Sequence, residues 1–184
     1  MSPASAADGP GTAWPADVDP ADLEQPDGFS CGPTAVVAAR MLLDPTWRPD
    51  AIEEEIAVAH HGLTGVAGLT GRTQLPWPRA LGTPPWAVAN VLAALTGQRV
   101  STYVARHRPA PAYAELARRV AIRPTAAYLG SAWLPRHVVL AYDGDLTAVE
   151  VLDPARGELV SVAADRWRTH DVRVAGWSHL WFVV

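Results

Sequence analysis

Residues 25–34 read QPDGFSCGPT and contain Cys31, the one cysteine of the chain. From Cys31 to Leu43 the residues are small and apolar, which predicts a helix. Pro33 falls in its first turn, where proline is tolerated, and Asp44-Pro45 ends it. The start of a helix presents unpaired backbone N–H groups and the positive end of the helix dipole, and both favour a thiolate over a thiol. The stretch therefore predicts a cysteine placed for nucleophilic chemistry.

Length and composition predict one globular domain preceded by an arm. The chain has 184 residues, of which 49% are hydrophobic and 18% charged, and a typical domain has ~150 residues. Residues 1–22 are rich in Ala, Pro, Gly and Asp, which predicts a flexible arm, and residues 23–184 are expected to form a single catalytic domain.

Charge and hydropathy exclude several classes of partner. The net charge is −4, all 15 basic residues are arginine, and no basic run is present, so binding to nucleic acid is not expected. No apolar stretch approaches the ~20 residues that span a bilayer. The beginning of the sequence lacks the basic and apolar regions of a secretory signal. A single cysteine cannot form an intramolecular disulfide. We therefore expect a cytoplasmic protein without a membrane partner.

The hydrophobic period of the chain changes after its first half. Apolar spacing and helix-boundary residues predict four helices, over residues 31–43, 50–62, 83–97 and 112–120. In the second helix, Asp50 and Glu53 form the predicted capping box and Gly62 ends the helix. Runs rich in Val, Leu and aromatic residues predict strands over residues 100–104, 125–129, 137–142, 148–152, 159–162 and 177–184, with a short helix over 163–168. Helices followed by strands joined by short turns predict an α+β fold with an antiparallel sheet.

Gln25 lies a few residues before Cys31 and is a candidate hydrogen-bond donor to an oxyanion. In thiol acyl-transfer enzymes, the backbone N–H of the cysteine and a side-chain amide together hold the negative oxygen of the tetrahedral intermediate. Gly32 leaves room for a second segment to approach the sulfur. The ordinary alternatives are a surface glutamine at position 25 and a small buried packing residue at position 31.

His137 differs from the other five histidines because it opens an apolar strand, HVVLAY. The next predicted strand ends in Asp153-Pro154. The start of one antiparallel strand lies beside the end of its neighbour, so His137 and Asp153 are predicted cross-strand partners. An Asp-Pro pair is also a common turn opener. His60 and His61 are expected to cap the second helix, and no metal site is expected.

The combined pattern resembles that of the papain-like superfamily. It consists of Gln25, Ser30-Cys31-Gly32-Pro33-Thr34, His137-Val138-Val139 and Val151-Leu152-Asp153-Pro154. It is most similar to the bacteriocin-processing branch, the cysteine peptidases that remove double-glycine leaders, as a stand-alone member without transporter domains. The resemblance implies a papain-like fold with Cys31 as nucleophile, His137 as general base and acid, Asp153 as the residue that orients His137, and Gln25 as oxyanion donor.

The resemblance implies a thiol-dependent acyl-transfer enzyme without a cofactor. The first expectation is a cysteine peptidase or amidohydrolase, in which water resolves the acyl-enzyme formed from a peptide or amide. One alternative is an acyltransferase, an amide synthase or a cyclase of a biosynthetic pathway, acting on an amide or on a thioester, including one bound to a carrier protein. The other alternative is a peptide-binding module without catalysis. The sequence predicts no oligomeric state.

Three tryptophans are expected near the reactive thiol. Trp77, Trp86 and Trp133 lie in segments predicted to border the cleft, and Trp86, Trp133 and Gly32 are the expected substrate-binding residues. A site surrounded by large aromatic side chains would exclude water, which favours the acyltransferase alternative. Tryptophan also packs frequently in protein cores.

Overall fold

A computed structural model describes residues 13–184, and the predicted α+β class is confirmed there. Residues 1–12 of the predicted arm lie outside the described residues. The described helices are α1 (Cys31–Leu43), α2 (Ile52–Thr64), α3 (Pro85–Thr96), α4 (Pro109–Val120) and α5 (Ala164–Arg168), with two 3-10 turns at Pro20–Leu23 and Arg79–Leu81. The described strands are β1 (Tyr103–Val104), β2 (Thr125–Gly130), β3 (Pro135–Gly144), β4 (Ala148–Asp153), β5 (Glu158–Ala163) and β6 (His179–Val183).

The six described strands form one antiparallel sheet in the order β1-β6-β2-β3-β4-β5. Alternate residues of each strand face opposite sides of a sheet. In β3, Val138 and Leu140 belong to a core formed with α1, α2 and α3, whereas Val139 and Ala141 belong to a second core formed with α4 and α5. The sheet is therefore covered by helices on both faces.

Residues 13–23 pack against the domain. The indole of Trp14 makes an edge-to-face contact with Tyr142, with ring centroids 5.2 Å apart. Val18 and Leu23 are buried in the core on the α1 side of the sheet. Gly157 has a φ of +56°, and its lack of a side chain allows the backbone of Pro20 to lie against it. This segment therefore covers the turn that follows β4.

The boundaries of α1 place Cys31 at the first residue of a buried helix. Small residues allow α1 to pack closely against α2, α3 and β3, and eleven of its thirteen residues are buried. The helix ends before Asp44 because Pro45 disfavours a helical conformation in the residue that precedes it. Among the described residues, no helix has the length and apolar character needed to cross a membrane.

Candidate active site

Cys31 is buried at the amino terminus of α1, with 4% of its surface exposed. The preceding residue, Ser30, makes no side-chain capping bond to the helix. Its hydroxyl donates to the carboxylate of Asp27 at 2.8 Å. The side chain of Ser30 therefore accepts no hydrogen bond from the first backbone N–H groups of α1. These N–H groups lie beside Cys31.

His137 and Asp153 form a buried hydrogen-bonded pair. His137 Nε2 lies 2.6 Å from Asp153 Oδ1, and the two residues are 4% and 0% exposed. Leu140 is paired with Leu152 in the antiparallel sheet. The next residue of β4, Asp153, therefore lies opposite residue 139 of β3. His137 therefore stands diagonally across from Asp153, within reach of a histidine side chain. The backbone N–H of Ala155 also donates to Asp153 Oδ1, at 3.0 Å, which fixes the carboxylate.

The His137 ring lies between Asp153 and Cys31. Burial alone would lower the pKa of His137, but hydrogen bonds to Asp153 and Cys31, together with their charges, raise that pKa to about 9. Because Nε2 is bound to Asp153, Nδ1 is the ring nitrogen available to the thiol. The contacts with Asp153 and Cys31 therefore favour the protonated form of His137, next to the sulfur.

Cys31 and His137 open into a cleft of about 400 Å³. Two aromatic pairs supply much of its wall, Trp77 with Trp86 and Tyr128 with Phe182, with ring centroids 5.2 Å and 5.9 Å apart. The other lining residues are Leu81, Gly82, Thr83, Pro84, Pro85, Thr102, Pro135, Arg136 and Val138. Most of these described lining residues are apolar, and none is an aspartate or glutamate. The positively charged side chain of the lining is that of Arg136, next to His137 in the sequence.

The structure does not bring the Gln25 amide to this cleft. Gln25 Nε2 donates to the carbonyl of Asp27 at 2.6 Å, and its Oε1 is buried without a hydrogen-bond partner. The side chain borders a separate depression beside Glu53 and Ile56. The amide turns away from the cleft because the turn before α1 places the Asp27 carbonyl within hydrogen-bond distance of it. The backbone N–H of Gln25 instead links this turn to β4 by donating to the Pro154 carbonyl at 2.7 Å.

The three expected substrate-binding residues have different positions. Trp86 lines the cleft. Gly32 lies directly against Thr83, since a Cβ on Gly32 would be 2.6 Å from the Thr83 Cβ and Oγ1 atoms. Trp133 is 84% exposed and lies outside the cleft lining. The hydroxyl of Ser131 accepts the N–H groups of Trp133 and the next residue, and this tight turn carries the indole into solvent.

Sequence reasoning missed Thr83 and Tyr128. Tyr128 is the one aromatic residue in the strand TAAYLG, and its hydroxyl donates to the Thr83 carbonyl at 3.0 Å. Burial, and then the nearby Cys31, raise the pKa of Tyr128 well above its usual value. A lone aromatic residue in a strand of mostly small residues was the available signal for Tyr128. Thr83 was predicted only as the start of the third helix, because its contact with Gly32 depends on the tertiary structure.

His60 is a buried residue of α2, whereas the sequence suggested a helix-capping role. The residue is 4% exposed, and its Nε2 atom has no hydrogen-bond partner. Burial lowers the pKa of His60, and the nearby charge of Arg79 lowers it further. Among residues 13–184, no group of three or more His, Cys, Asp or Glu side chains is placed to hold a metal ion.

The arrangement around Cys31 contains the parts that acyl transfer requires. A thiol at a helix terminus, an imidazolium beside it and a buried carboxylate behind the imidazolium are together in one place, and an apolar cleft opens onto them. Comparison of the chain with family models, with curated proteins and with solved structures gives no match, so these described contacts carry the functional argument.

Proposed function

We propose that the protein is a thiol-dependent acyl-transfer enzyme with a papain-like catalytic arrangement. The first candidate activity is that of a cysteine peptidase or amidohydrolase. The observation that carries the proposal is the buried series Cys31, His137 and Asp153, in which both neighbours of the imidazole raise its pKa. A core histidine that served only packing would not need an acid on one side and a thiol on the other. A peptide-binding module would have no use for this series.

The first chemical step is attack on an amide carbonyl. The Cys31 sulfur forms a bond to the carbonyl carbon, and the electron pair of the C=O bond moves onto the oxygen. The backbone N–H of Cys31, at the start of α1, supports that negative charge. When the C=O bond re-forms, the C–N bond breaks, and His137 gives its proton to the departing amine. An acyl group is left on the sulfur as a thioester.

The second step releases the acyl group. Water, or an amine in the transferase alternative, gives a proton to His137 and attacks the thioester carbon, and the Cys31 thiolate leaves. The specific observation that favours the transferase is the wall of the cleft, where Trp77, Trp86, Tyr128 and Phe182 present apolar surface and few groups that would hold a water molecule.

The test is covalent labelling by a simple acyl donor. Wild-type protein is mixed with p-nitrophenyl hexanoate and analysed by intact-mass spectrometry, with peptide mapping of the adduct. We expect one hexanoyl group on Cys31, accompanied by release of one equivalent of p-nitrophenolate. Decay of the adduct in buffer alone identifies a hydrolase, and decay that requires added glycinamide identifies a transferase. Folded wild-type protein that never acquires the adduct would contradict the proposal.

The pKa of His137 sets an alkaline limit for cleavage of amides. His137 must hold a proton to release an amine, so kcat/KM for a hexanoyl p-nitroanilide is expected to fall as the pH rises past about 9. The matching p-nitrophenyl ester releases a phenolate that needs no proton, and its kcat/KM should not show this fall.

Replacing Asp153 with asparagine should weaken catalysis and move this limit. The amide oxygen that Asp153→Asn introduces can still accept the hydrogen bond from Nε2. We therefore expect a loss of about ten- to a hundredfold in kcat/KM, similar to the effect of removing a hydrogen-bonded residue that orients a metal-binding histidine. The charge of Asp153 is one of the causes that raise the pKa of His137. The alkaline limit of the variant should therefore lie below that of wild type. An unchanged limit in the folded variant would show that Asp153 does not support the imidazolium.

A further inference from the structure

Thr83 carries a buried hydroxyl that has no hydrogen-bond partner. The residue is 6% exposed, and it lines the cleft together with Cys31 and His137. A buried hydroxyl that is left unpaired destabilises the folded protein, and most buried polar groups are paired for this reason. The oxygen of this unpaired donor lies against Gly32, the residue that follows Cys31, at the edge of the cleft.

The local sequence explains why this hydroxyl is unpaired. Thr83 lies two residues before the first residue of α3, next to the cap position, where a threonine would ordinarily accept a hydrogen bond from the helix backbone. The next two residues are Pro84 and Pro85, which have no N–H to offer, and Pro84, the cap residue, makes no side-chain bond. The hydroxyl is therefore not used to cap α3.

Two contacts and one turn hold Thr83 beside the nucleophile. Gly32, the residue after Cys31, has no Cβ, and the Thr83 side chain occupies the place where one would stand. Tyr128 donates its hydroxyl proton to the Thr83 carbonyl at 3.0 Å and fixes the backbone from the sheet side. Gly82 has a φ of +76°, a conformation that suits glycine and turns the chain into this contact. The position of Thr83 is thus fixed by α1, by β2 and by its own turn.

We propose that the Thr83 hydroxyl is the side-chain donor to the oxyanion, a role that the sequence assigned to Gln25. This inference rests on the proposed acyl-transfer activity. The oxygen that becomes negative when Cys31 attacks a carbonyl receives one hydrogen bond from the Cys31 N–H and a second from Thr83 Oγ1. No proton is transferred from Thr83, and its O–H bond stays intact. Gln25 holds the turn before α1, because its amide is bound to the Asp27 carbonyl.

The experiment compares two reactions of the same sulfur. Acylation by p-nitrophenyl hexanoate passes through an oxyanion, whereas alkylation by iodoacetamide displaces iodide directly and forms none. Thr83→Val removes the hydroxyl and keeps the shape. We expect it to lower the single-turnover acylation rate by about 10²- to 10³-fold, the range for loss of one oxyanion donor. The alkylation rate should equal that of wild type, and Thr83→Ser should restore most of the acylation rate.

Thr34 offers a matched control. Its hydroxyl is also buried and unpaired, but it lies inside α1 and does not line the cleft. Thr34→Val therefore makes the same chemical change outside the site and should leave the acylation rate unchanged. Gln25→Ala should reduce the acylation rate less than Thr83→Val does.

Two results would overturn the inference. Equal acylation rates for Thr83→Val and wild type would show that the hydroxyl does not bind the oxyanion. A loss in Thr83→Val that is matched by an equal loss of alkylation would show that Thr83 only shapes the thiol environment. Absence of acylation in wild type is a different outcome, because it would contradict the proposed function itself.

Discussion

Cys31→Ala is expected to abolish acyl transfer, because no other residue of the cleft can form the covalent intermediate. The described lining of the cleft contains no second thiol, and its hydroxyl-bearing residues have no imidazole placed to activate them. Turnover of the p-nitroanilide and formation of the hexanoyl adduct should both fall below detection. Because Cys31 is buried, the thermal stability of the variant must be measured as a control.

Cys31→Ser is the matched variant for that control. Serine fills nearly the same volume and keeps a polar atom at the start of α1, so the fold should persist. An alcohol does not form the ion pair with His137, and this variant should also be inactive. If either variant, shown to be folded by its thermal transition, retained a tenth of the wild-type kcat/KM, Cys31 could not be the nucleophile.

His137→Ala is expected to cause the second largest loss, about 10²- to 10⁴-fold in kcat/KM for the p-nitroanilide, the usual contribution of a general acid–base residue. The loss should be smaller for the p-nitrophenyl ester, whose leaving group needs no proton. His61→Ala is the control, since His61 is an exposed residue of α2. An equal loss for the ester and the anilide would contradict proton donation by His137.

The helix that begins at Cys31 was predictable in full because its local signals agree. Small apolar residues, a proline in the first turn and an Asp-Pro pair after the last turn all specify the same segment, and α1 has those limits. The second helix shows where such signals fail. Asp50 and Glu53 predicted its cap, but α2 begins at Ile52 after Ala51 and has no side-chain cap. Packing of the apolar side of α2 against α1 determines its start more than capping does.

The pairing of His137 with Asp153 was also predictable, because strand order and register follow from short turns and an apolar pattern. The contact is diagonal, a detail that depends on the register of β3 and β4. The partner of Gln25 was not predictable from spacing. A glutamine six residues before the cysteine can turn toward the thiol or toward its own loop, and the Asp27 carbonyl decides between these positions.

The aromatic residues divide in the same way. Trp86 is carried to the cleft by α3, whose limits follow from Pro85 and Gly97. Trp133 lies only four residues before His137, but a turn closed by Ser131 directs it into solvent. Thr83 and Phe182 reach the cleft from distant parts of the chain. Such long-range neighbours require the tertiary structure, since no local pattern records them.

The proposed ion pair between Cys31 and His137 is tested most directly by the rate of alkylation of Cys31 by iodoacetamide at pH 6. An ordinary thiol reacts slowly at this pH because little of it is thiolate, whereas Cys31 begins α1 and is hydrogen-bonded to His137, two features that favour attack by the sulfur. We expect wild type to react at least about tenfold faster than His137→Gln. Equal rates for the two folded proteins would contradict the ion pair.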